Sequence, residues 1–220
     1  MNDAPRHNGD GRPDETVIAC WSCGGPTPEG ALFCLTCRAV QPPRAVTHFA
    51  RLGLPVEFAL DEGELERRYF AYQRQLHPDR FATRSARERA ISQSQAVSLN
   101  EAYRTLKDPL ARADYLLKQK GIVANPDGCH TINDPTLLSE QMERREALMS
   151  AETLGDVEAV IAEAASHIGE SIAAIAAAFG RDDIEAAGRE TTRLKYLEKL
   201  LDEAKARKSR LTQMPEEAAL

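Results

Sequence analysis

A long hydrophobic run is missing from this 220-residue sequence. The longest uninterrupted apolar stretch, Ile172 to Phe179, has eight residues, whereas a helix that crosses a bilayer needs roughly 18. The first twenty residues hold four acidic side chains, and they resemble neither a secretory signal nor an Arg-rich, acid-poor organellar presequence. We therefore expect no membrane partner and a cytoplasmic location, bacterial rather than organellar.

Concentrated positive charge is also missing. Residues 45–120 carry 13 basic and 10 acidic side chains, residues 121–220 carry 11 and 19, and the whole chain has a net charge of −6. Domains that bind nucleic acid usually display a strongly basic patch or stripe. Nucleic acid is therefore not an expected partner, and the acidic C-terminal part would suit a basic surface on a protein client.

Cysteine is sparse, but four of the five cysteines form two close pairs. Cys20-x-x-Cys23 and Cys34-x-x-Cys37 are separated by ten residues, and in a reducing compartment this spacing favours a metal over disulfides. Four thiolates suit a closed structural zinc site; iron in the same geometry or a redox dithiol pair are the alternatives. Zinc binding, worth roughly 10–16 kcal/mol, would supply most of the folding energy of so short a segment. Cys129 is expected to be a structural thiol.

Composition divides the chain into four segments. Residues 1–16 lack periodicity and predict a disordered leader. Residues 17–44 form a cysteine module with a Pro-containing linker, residues 45–120 a domain built on a helical hairpin, and residues 121–210 an antiparallel three-helix bundle. Apart from the cysteine module, the expected fold class is all-α.

Helix start and stop signals place the individual helices. Spacing and capping predict a short helix at 47–52, a helix over 62–76, a helix from Ser85 to Leu106, and a helix that starts at Pro109 and ends before Gly121. The three bundle helices are expected to begin at Asp134-Pro135, Asp156 and Asp183, with fraying after Lys208. Apolar positions of the first bundle helix include Leu138, Met142 and Met149.

The loop between the two long helices reads His77-Pro78-Asp79, and Arg67, Arg68 and Arg74 precede it. By itself the tripeptide is compatible with an ordinary surface turn beside solvated arginines. Acid–base catalysis is not expected, because neither a Ser or Cys nucleophile nor a glycine-rich phosphate loop accompanies the turn. The chain is therefore predicted not to be an enzyme.

The wider context of the turn resembles the J-domain family of chaperone partners. The similarity continues through Asn100 to Leu106, Asp108-Pro109, and Arg112-Ala113-x-Tyr115. In that family the loop and the basic face before it dock on the ATPase domain of a DnaK-type chaperone and promote ATP hydrolysis. The resemblance therefore implies chaperone binding, with the trigger carried by His77, Pro78 and Asp79 and the electrostatic docking by Arg67, Arg68 and Arg74.

The flanking segments are similar to a narrower family, the HscB (Jac-type) iron-sulfur co-chaperones. The similarity covers about residues 45–205 and rests on Thr47-His48-Phe49, Leu52 to Pro55, Phe58-x-Leu60-Asp61, Leu76 to Phe81, and Glu140 to Glu146. It implies that the bundle binds the scaffold IscU and delivers it to the chaperone HscA. The cysteine module resembles the zinc-bearing N-terminal extension of some members.

The scaffold contacts that the resemblance implies are Leu138, Met142, Glu143, Glu146 and Tyr196. Ser139 stands where the family pattern has an apolar residue, and Tyr196 replaces Phe, which predicts a smaller patch or weaker binding. Leu138 and Met142 are also spaced as bundle-core residues would be. Two further readings stay open: a general J-domain co-chaperone for other clients, and a zinc-dependent binding adaptor with an inert hairpin.

Overall fold

The computed structural model describes residues 16–122 and 134–213. The predicted disordered leader and the predicted structural role of Cys129 lie outside the described residues. Within the described ranges, contacts group the chain into two compact units: residues 16–56 with 62–104, and residues 57–61 with 105–213. The boundaries expected from composition stay a prediction.

The cysteine module opens the first unit with very little regular structure. Strands β1 (Val17–Ala19) and β2 (Pro26–Pro28) pair antiparallel with Ile18 opposite Thr27, and an isolated bridge joins Phe33 to Val40. Each Cys-x-x-Cys pair is followed by a tight turn, in which the next residue donates its amide to the carbonyl of the pair's first cysteine. The name cysteine module denotes this small framework with its linker, residues 17–44.

The rest of the first unit is helical, as predicted. Helix α1 (His48–Leu52) begins at Thr47, whose hydroxyl accepts from the Ala50 amide at 3.0 Å. Helices α2 (Glu62–Leu76) and α3 (Ala86–Lys107) are joined by a 3₁₀ turn, Pro78–Phe81. The fully buried core includes Phe49, Leu52, Leu65, Leu76 and Leu99. Tyr69 of α2 stacks on Tyr103 of α3 with ring centroids 3.9 Å apart, which holds the two helices face to face.

The second unit contains helices α4 (Pro109–Gln119), α5 (Pro135–Ser150), α6 (Leu154–Gly180) and α7 (Ile184–Gln213). Helix α7 packs along α6 and also contacts α4 and α5. The core between these helices includes Val157, Ala164, Ile175, Leu194 and Leu197. The all-α class with a small cysteine module is thereby confirmed.

Two predicted helix ends of the bundle are wrong by a few residues. Helix α6 is capped by Thr153 rather than Asp156: the Thr153 hydroxyl accepts from the Asp156 amide, and the Asp156 carboxylate accepts from the Thr153 amide at 2.8 Å. Such reciprocal bonds satisfy two amides that a helix start leaves unpaired. Helix α7 continues to Gln213 instead of fraying after Lys208, which pairs with Glu158 of α6 at 2.8 Å.

Helix α6 is the one helix, among the described residues, that is long and apolar enough to cross a membrane by length and composition. That test alone is weak evidence, because the central helix of a bundle passes it as well. Alanine accounts for much of the apolar composition of α6. The helix packs against α7 through buried Val157, Ala164, Ile175 and Ala178, as a bundle helix does.

Candidate functional site

The four paired cysteines converge on one point. Their sulfur atoms all lie within 4.8 Å of one another, with Cys20 Sγ 3.7 Å from Cys37 Sγ and Cys23 Sγ 3.8 Å from Cys34 Sγ. A tetrahedral ion with metal–sulfur bonds of about 2.3 Å separates its sulfurs by roughly 3.8 Å. The cluster therefore has the shape of a four-thiolate metal centre with no coordination position left open.

Hydrogen bonds prepare three of these sulfurs to carry negative charge. The amides of Ser22, Gly25 and Thr36 each point at the sulfur two residues earlier, at 3.4 Å. The Gln41 side-chain amide donates to Cys20 Sγ at 3.3 Å. These donors are the outer shell that stabilises bound thiolates in a metal site.

The pKa values of two of the thiols are shifted in opposite directions. The buried Thr27 hydroxyl, aided by the amides of Cys37 and Thr36, lowers the pKa of Cys34 to about 5. Thr27 Oγ1 is buried and makes no hydrogen bond within the ordinary distance limits, so its hydroxyl is free to orient toward a charged Cys34 sulfur. The Gly25 amide acts to lower the pKa of Cys23, but Cys37, burial and the other thiols raise it to about 11. A divalent cation bound by the four sulfurs would offset the repulsion between neighbouring thiolates and let all four carry negative charge.

A buried polar chain fixes the cysteine module to the helical hairpin. The Gln95 side-chain amide of α3 donates to the Gln41 carbonyl at 2.8 Å, and its oxygen accepts from Arg51 Nη1 at 3.3 Å. Near the surface, the Arg87 guanidinium lies 4.3 Å from the centre of the Trp21 ring. Sequence patterns do not reveal Gln41, Gln95 or Trp21 as important, because a lone glutamine or tryptophan carries no spacing signal.

The His77-Pro78-Asp79 turn, called the HPD turn below, is rigid and open. Pro78 is the first residue of the 3₁₀ turn, and His77 Nδ1 accepts from the Asp79 amide at 3.4 Å. The Asp79 side chain is 91% exposed and its Oδ2 lies 3.6 Å from His77 Nδ1. The turn therefore holds an exposed carboxylate in a fixed position, where it can meet a cationic group on another molecule.

The three arginines of α2 have different surroundings. Arg67 is 72% exposed and pairs with Glu64. Arg68 also pairs with Glu64 and donates to the Leu52 and Gly53 carbonyls, so it holds the end of α1 against α2. Arg74 is exposed near the HPD turn. Arg67 and Arg74, seven residues apart, lie on one helical face, while the guanidinium of Arg68 is already engaged within the unit.

The bundle residues implied by resemblance lie on the surface of α5. Leu138 is 46% and Met142 65% exposed, and Glu143 and Glu146 are exposed as well. The buried positions of α5 are instead Leu137 and Leu148, so the core reading of Leu138 and Met142 is wrong. We call Leu138, Met142, Glu143 and Glu146 the exposed α5 face.

Tyr196 belongs to α7 and is half-buried. Three residues before it, Arg193 donates two hydrogen bonds to the Glu140 carboxylate of α5, at 3.1 and 3.0 Å. Arg193 also pairs with Glu190 at 2.9 Å. Arg144 adds a bond of 3.2 Å to Glu140. This ionic cluster fixes α5 against α7.

Ser139 is the residue that departs from the apolar residue of the family pattern. Its hydroxyl donates to the exposed Glu143 carboxylate at 3.1 Å and so helps to hold that carboxylate in place.

Comparison with known proteins gives a consistent result. The family model of the HscB C-terminal oligomerisation domain matches residues 133–205. The iron-sulfur cluster co-chaperone protein HscB homolog of Arabidopsis thaliana is 33% identical over 190 residues, which is 86% of this chain and 74% of the relative. The co-chaperone protein HscB homolog of Cupriavidus taiwanensis is 40% identical over 155 residues, 69% of this chain and 88% of the relative.

Solved structures agree. Human co-chaperone HscB superposes with a TM-score of 0.80 at 34% identity and covers 87% of this chain and 99% of its own. HscB from Vibrio cholerae gives a TM-score of 0.67 at 35% identity, covering 76% and 99%. Jac1 from Saccharomyces cerevisiae, at 23% identity, shares the fold with a TM-score of 0.62.

Fold, helical order and relatives together define a co-chaperone rather than an enzyme, of the class that serves iron-sulfur cluster assembly. The chain belongs to the HscB family. The resemblance that its motifs indicate is thereby confirmed. Its four clustered cysteines add a site suited to a structural metal ion.

Proposed function

We propose that this chain binds the scaffold IscU through the exposed α5 face and Tyr196, and that its HPD turn stimulates the ATPase of an HscA-type chaperone of the DnaK class. The observation that carries the proposal is the HPD turn itself, where Asp79 is held at 91% side-chain exposure between two long helices. An exposed carboxylate held in a fixed position is suited to a charged contact with a partner protein. The proposed location is the cytoplasm.

The basic face of α2 supports chaperone docking. Arg67 and Arg74 are exposed, and their spacing places them on the same side of the helix that leads into the HPD turn. Arginine meets carboxylates in a two-bond fork, so these side chains suit an acidic surface. Arg68 acts in the proposed site by positioning α1. Because the arginines are exposed, docking should weaken as salt concentration rises.

The exposed α5 face supports scaffold binding. Leu138 and Met142 expose apolar surface although α5 has two buried positions, Leu137 and Leu148, that face its neighbours. Methionine adapts to varied partner surfaces because it is unbranched and flexible. Glu143 and Glu146 place negative charge beside the apolar side chains, which suits a partner that combines an apolar contact with basic residues.

We also propose that the ion of the cysteine module is zinc and that it is structural. Cys20, Cys23, Cys34 and Cys37 would hold it, and four thiolates leave no position for a reacting molecule. When bound, the ion cross-links two turns of a segment that has only three-residue strands. Iron would occupy the same four sulfurs, and metal analysis of the purified protein distinguishes the two.

The test of the main proposal is steady-state ATP hydrolysis by the chaperone with this protein, with IscU, and with both. We expect both together to stimulate more than the sum of each, because one chain that holds the scaffold raises its effective concentration at the chaperone. His77→Gln should abolish stimulation, and His167→Gln on α6 is the matched control. Stimulation that the scaffold does not enhance would indicate a co-chaperone for other clients, and none with a cognate chaperone would refute the proposal.

A mixing experiment tests whether both sites must lie in one molecule. His77→Gln leaves the bundle intact and Leu138→Ala with Tyr196→Ala leaves the HPD turn intact. If linkage is the mechanism, an equimolar mixture of the two variants should not restore synergy. Restored synergy would show that the two sites act independently.

A further inference from the structure

A groove lies beside the HPD turn, within the first unit. It has a volume of about 310 Å³ and runs between the turn that follows Cys37 and the 3₁₀ turn, and its lining includes Phe33, Arg38, Arg80, Phe81, Arg84 and Glu88. One wall therefore belongs to the cysteine module, and the other to the end of α2, the 3₁₀ turn and the start of α3. The groove joins two features of the chain that the proposed function treats separately.

Arg38 occupies a backbone position that favours glycine. Its φ is 61°, in the left-handed region. The matching residue after the first cysteine pair is Gly24, with φ 72°. A side chain in this conformation costs about 1 kcal/mol, whereas glycine adopts it freely. The turn after Cys37 would thus form more easily with glycine, so the fold of the module gives no reason for an arginine there.

The groove is positively charged, because its lining holds three arginines and one acid. Arg38, Arg80 and Arg84 are exposed, and over the described ranges no carboxylate lies within salt-bridge distance of any of the three. Glu88 is the one acid in the lining, and its carboxylate already accepts from the Ser85 amide at 3.1 Å and the Ser85 hydroxyl at 2.9 Å. Positive charge dominates the rim. The half-buried ring of Phe33 supplies apolar surface, whereas Phe81 is only 7% exposed.

We propose that the cysteine module forms part of the chaperone-docking surface, and that Arg38 and the HPD-side arginines together bind an acidic segment of the DnaK-type chaperone. The inference rests on the proposed function. Two observations select this occupant: the groove complements an acidic partner, and Arg80 and Phe81 lie in the same 3₁₀ turn as Pro78 and Asp79. A partner that contacts the HPD turn therefore also reaches the groove.

The two walls are held in register before any partner arrives. Gln95 of α3 donates to the Gln41 carbonyl, and Arg87 stacks on Trp21. Both contacts join the module to the helix that begins just after the HPD turn. A groove fixed in this way loses less entropy when it binds than two walls on a flexible linker would.

The test is Arg38→Gly, with Arg38→Gln beside it and Arg44→Gly as matched control. Arg38→Gly removes the charge and relieves the backbone, so metal content should stay at one equivalent and the urea midpoint should not fall. Arg38→Gln removes the charge alone. Arg44 is an exposed arginine of the same module that is absent from the groove lining. Binding to the ATP-loaded chaperone is measured at two salt concentrations.

We expect both Arg38 variants to bind about three- to tenfold more weakly, mainly through slower association at low salt. Arg44→Gly should bind as the unaltered protein does. Unchanged binding by both Arg38 variants, or weaker binding to IscU alone, would overturn the groove assignment while leaving the HPD turn in place. If the unaltered protein fails to bind the chaperone and His77→Gln changes nothing, the proposed function fails and this inference with it.

Discussion

Replacing Gln95 by methionine should loosen the cysteine module from the helical hairpin. Gln95 is 1% exposed, and its side chain joins the Gln41 carbonyl on one side to Arg51 on the other. Gln41 in turn donates to Cys20 Sγ at 3.3 Å. Methionine has a similar volume and no hydrogen-bonding amide, so the substitution removes the bonds without creating a large cavity.

The expected cost follows from the partners left behind. The buried Gln41 carbonyl loses the donor that reaches it at 2.8 Å, and an orphaned buried acceptor costs about 1–3 kcal/mol. Arg51 loses the bond to Gln95 but still donates to the Arg44 carbonyl at 2.7 Å, so about 1 kcal/mol is added. We expect the free energy of unfolding of this unit to fall by about 2–4 kcal/mol.

Urea unfolding followed by two signals measures this change. Trp21 is the only tryptophan of the chain, lies in the cysteine module and donates to the Val40 carbonyl at 2.6 Å, so its fluorescence reports the module. Circular dichroism reports the helices. With a slope near 2 kcal/mol per molar urea, the fluorescence midpoint should fall by about 1–2 M.

Gln93→Met provides the matched control, since Gln93 is exposed on the same helix. Its fluorescence midpoint should stay within about 0.3 M of the unaltered protein. The reasoning would be refuted if Gln95→Met and Gln93→Met had the same midpoint. The module would then be held by its own metal and the surface contacts alone.

Three further changes have definite expected outcomes. Cys23→Ser should lose one equivalent of bound metal, whereas Cys129→Ser should keep it; equal metal contents would refute the site. Leu137→Ala should lower bundle stability by about 2–5 kcal/mol, and Leu138→Ala by less than about 1 kcal/mol while weakening scaffold binding; the reverse order would contradict the assigned faces. Thr153 lowers the pKa of Asp156 below its ordinary value of 3.8. The cap therefore stabilises the fold at pH values above 3.8, and this contribution is lost as the pH falls through the lowered pKa. The acid-unfolding curve of Asp156→Asn should lack that component.

The elements that depend on local patterns were predictable from sequence. Helix α2 is found over the predicted range of 62–76, because its apolar spacing and the proline that follows it act within a few residues. The convergence of the four cysteines was predictable for the same reason, since Cys-x-x-Cys spacing fixes which sulfurs can meet. In both cases the information that determines the structure lies next to the residues concerned.

Features set by distant packing were not predictable. Leu137 and Leu138 are adjacent leucines on one helix, and only the position of α5 against its neighbours decides that Leu137 is buried and Leu138 exposed. Arg67 and Arg68 are likewise adjacent, yet Arg68 reaches carbonyls of the α1 end, fifteen or sixteen residues earlier in the chain. Residue type is the same within each pair, and the apolar spacing of Leu138 with Met142 would even favour the exposed leucine for the core. Sequence patterns therefore do not assign these roles.

The positions that break ordinary folding rules coincide with the surfaces proposed to bind partners. Leucine and methionine are more often buried than exposed, yet Leu138 and Met142 expose about half or more of their surface. An arginine occupies the left-handed position after Cys37, where glycine would be free of strain. Each feature lowers the stability or solubility of the isolated chain, and no contact within the described part of the chain compensates for it. Exceptions of this kind are expected where a surface is kept for binding rather than for folding, as we propose for both of these surfaces.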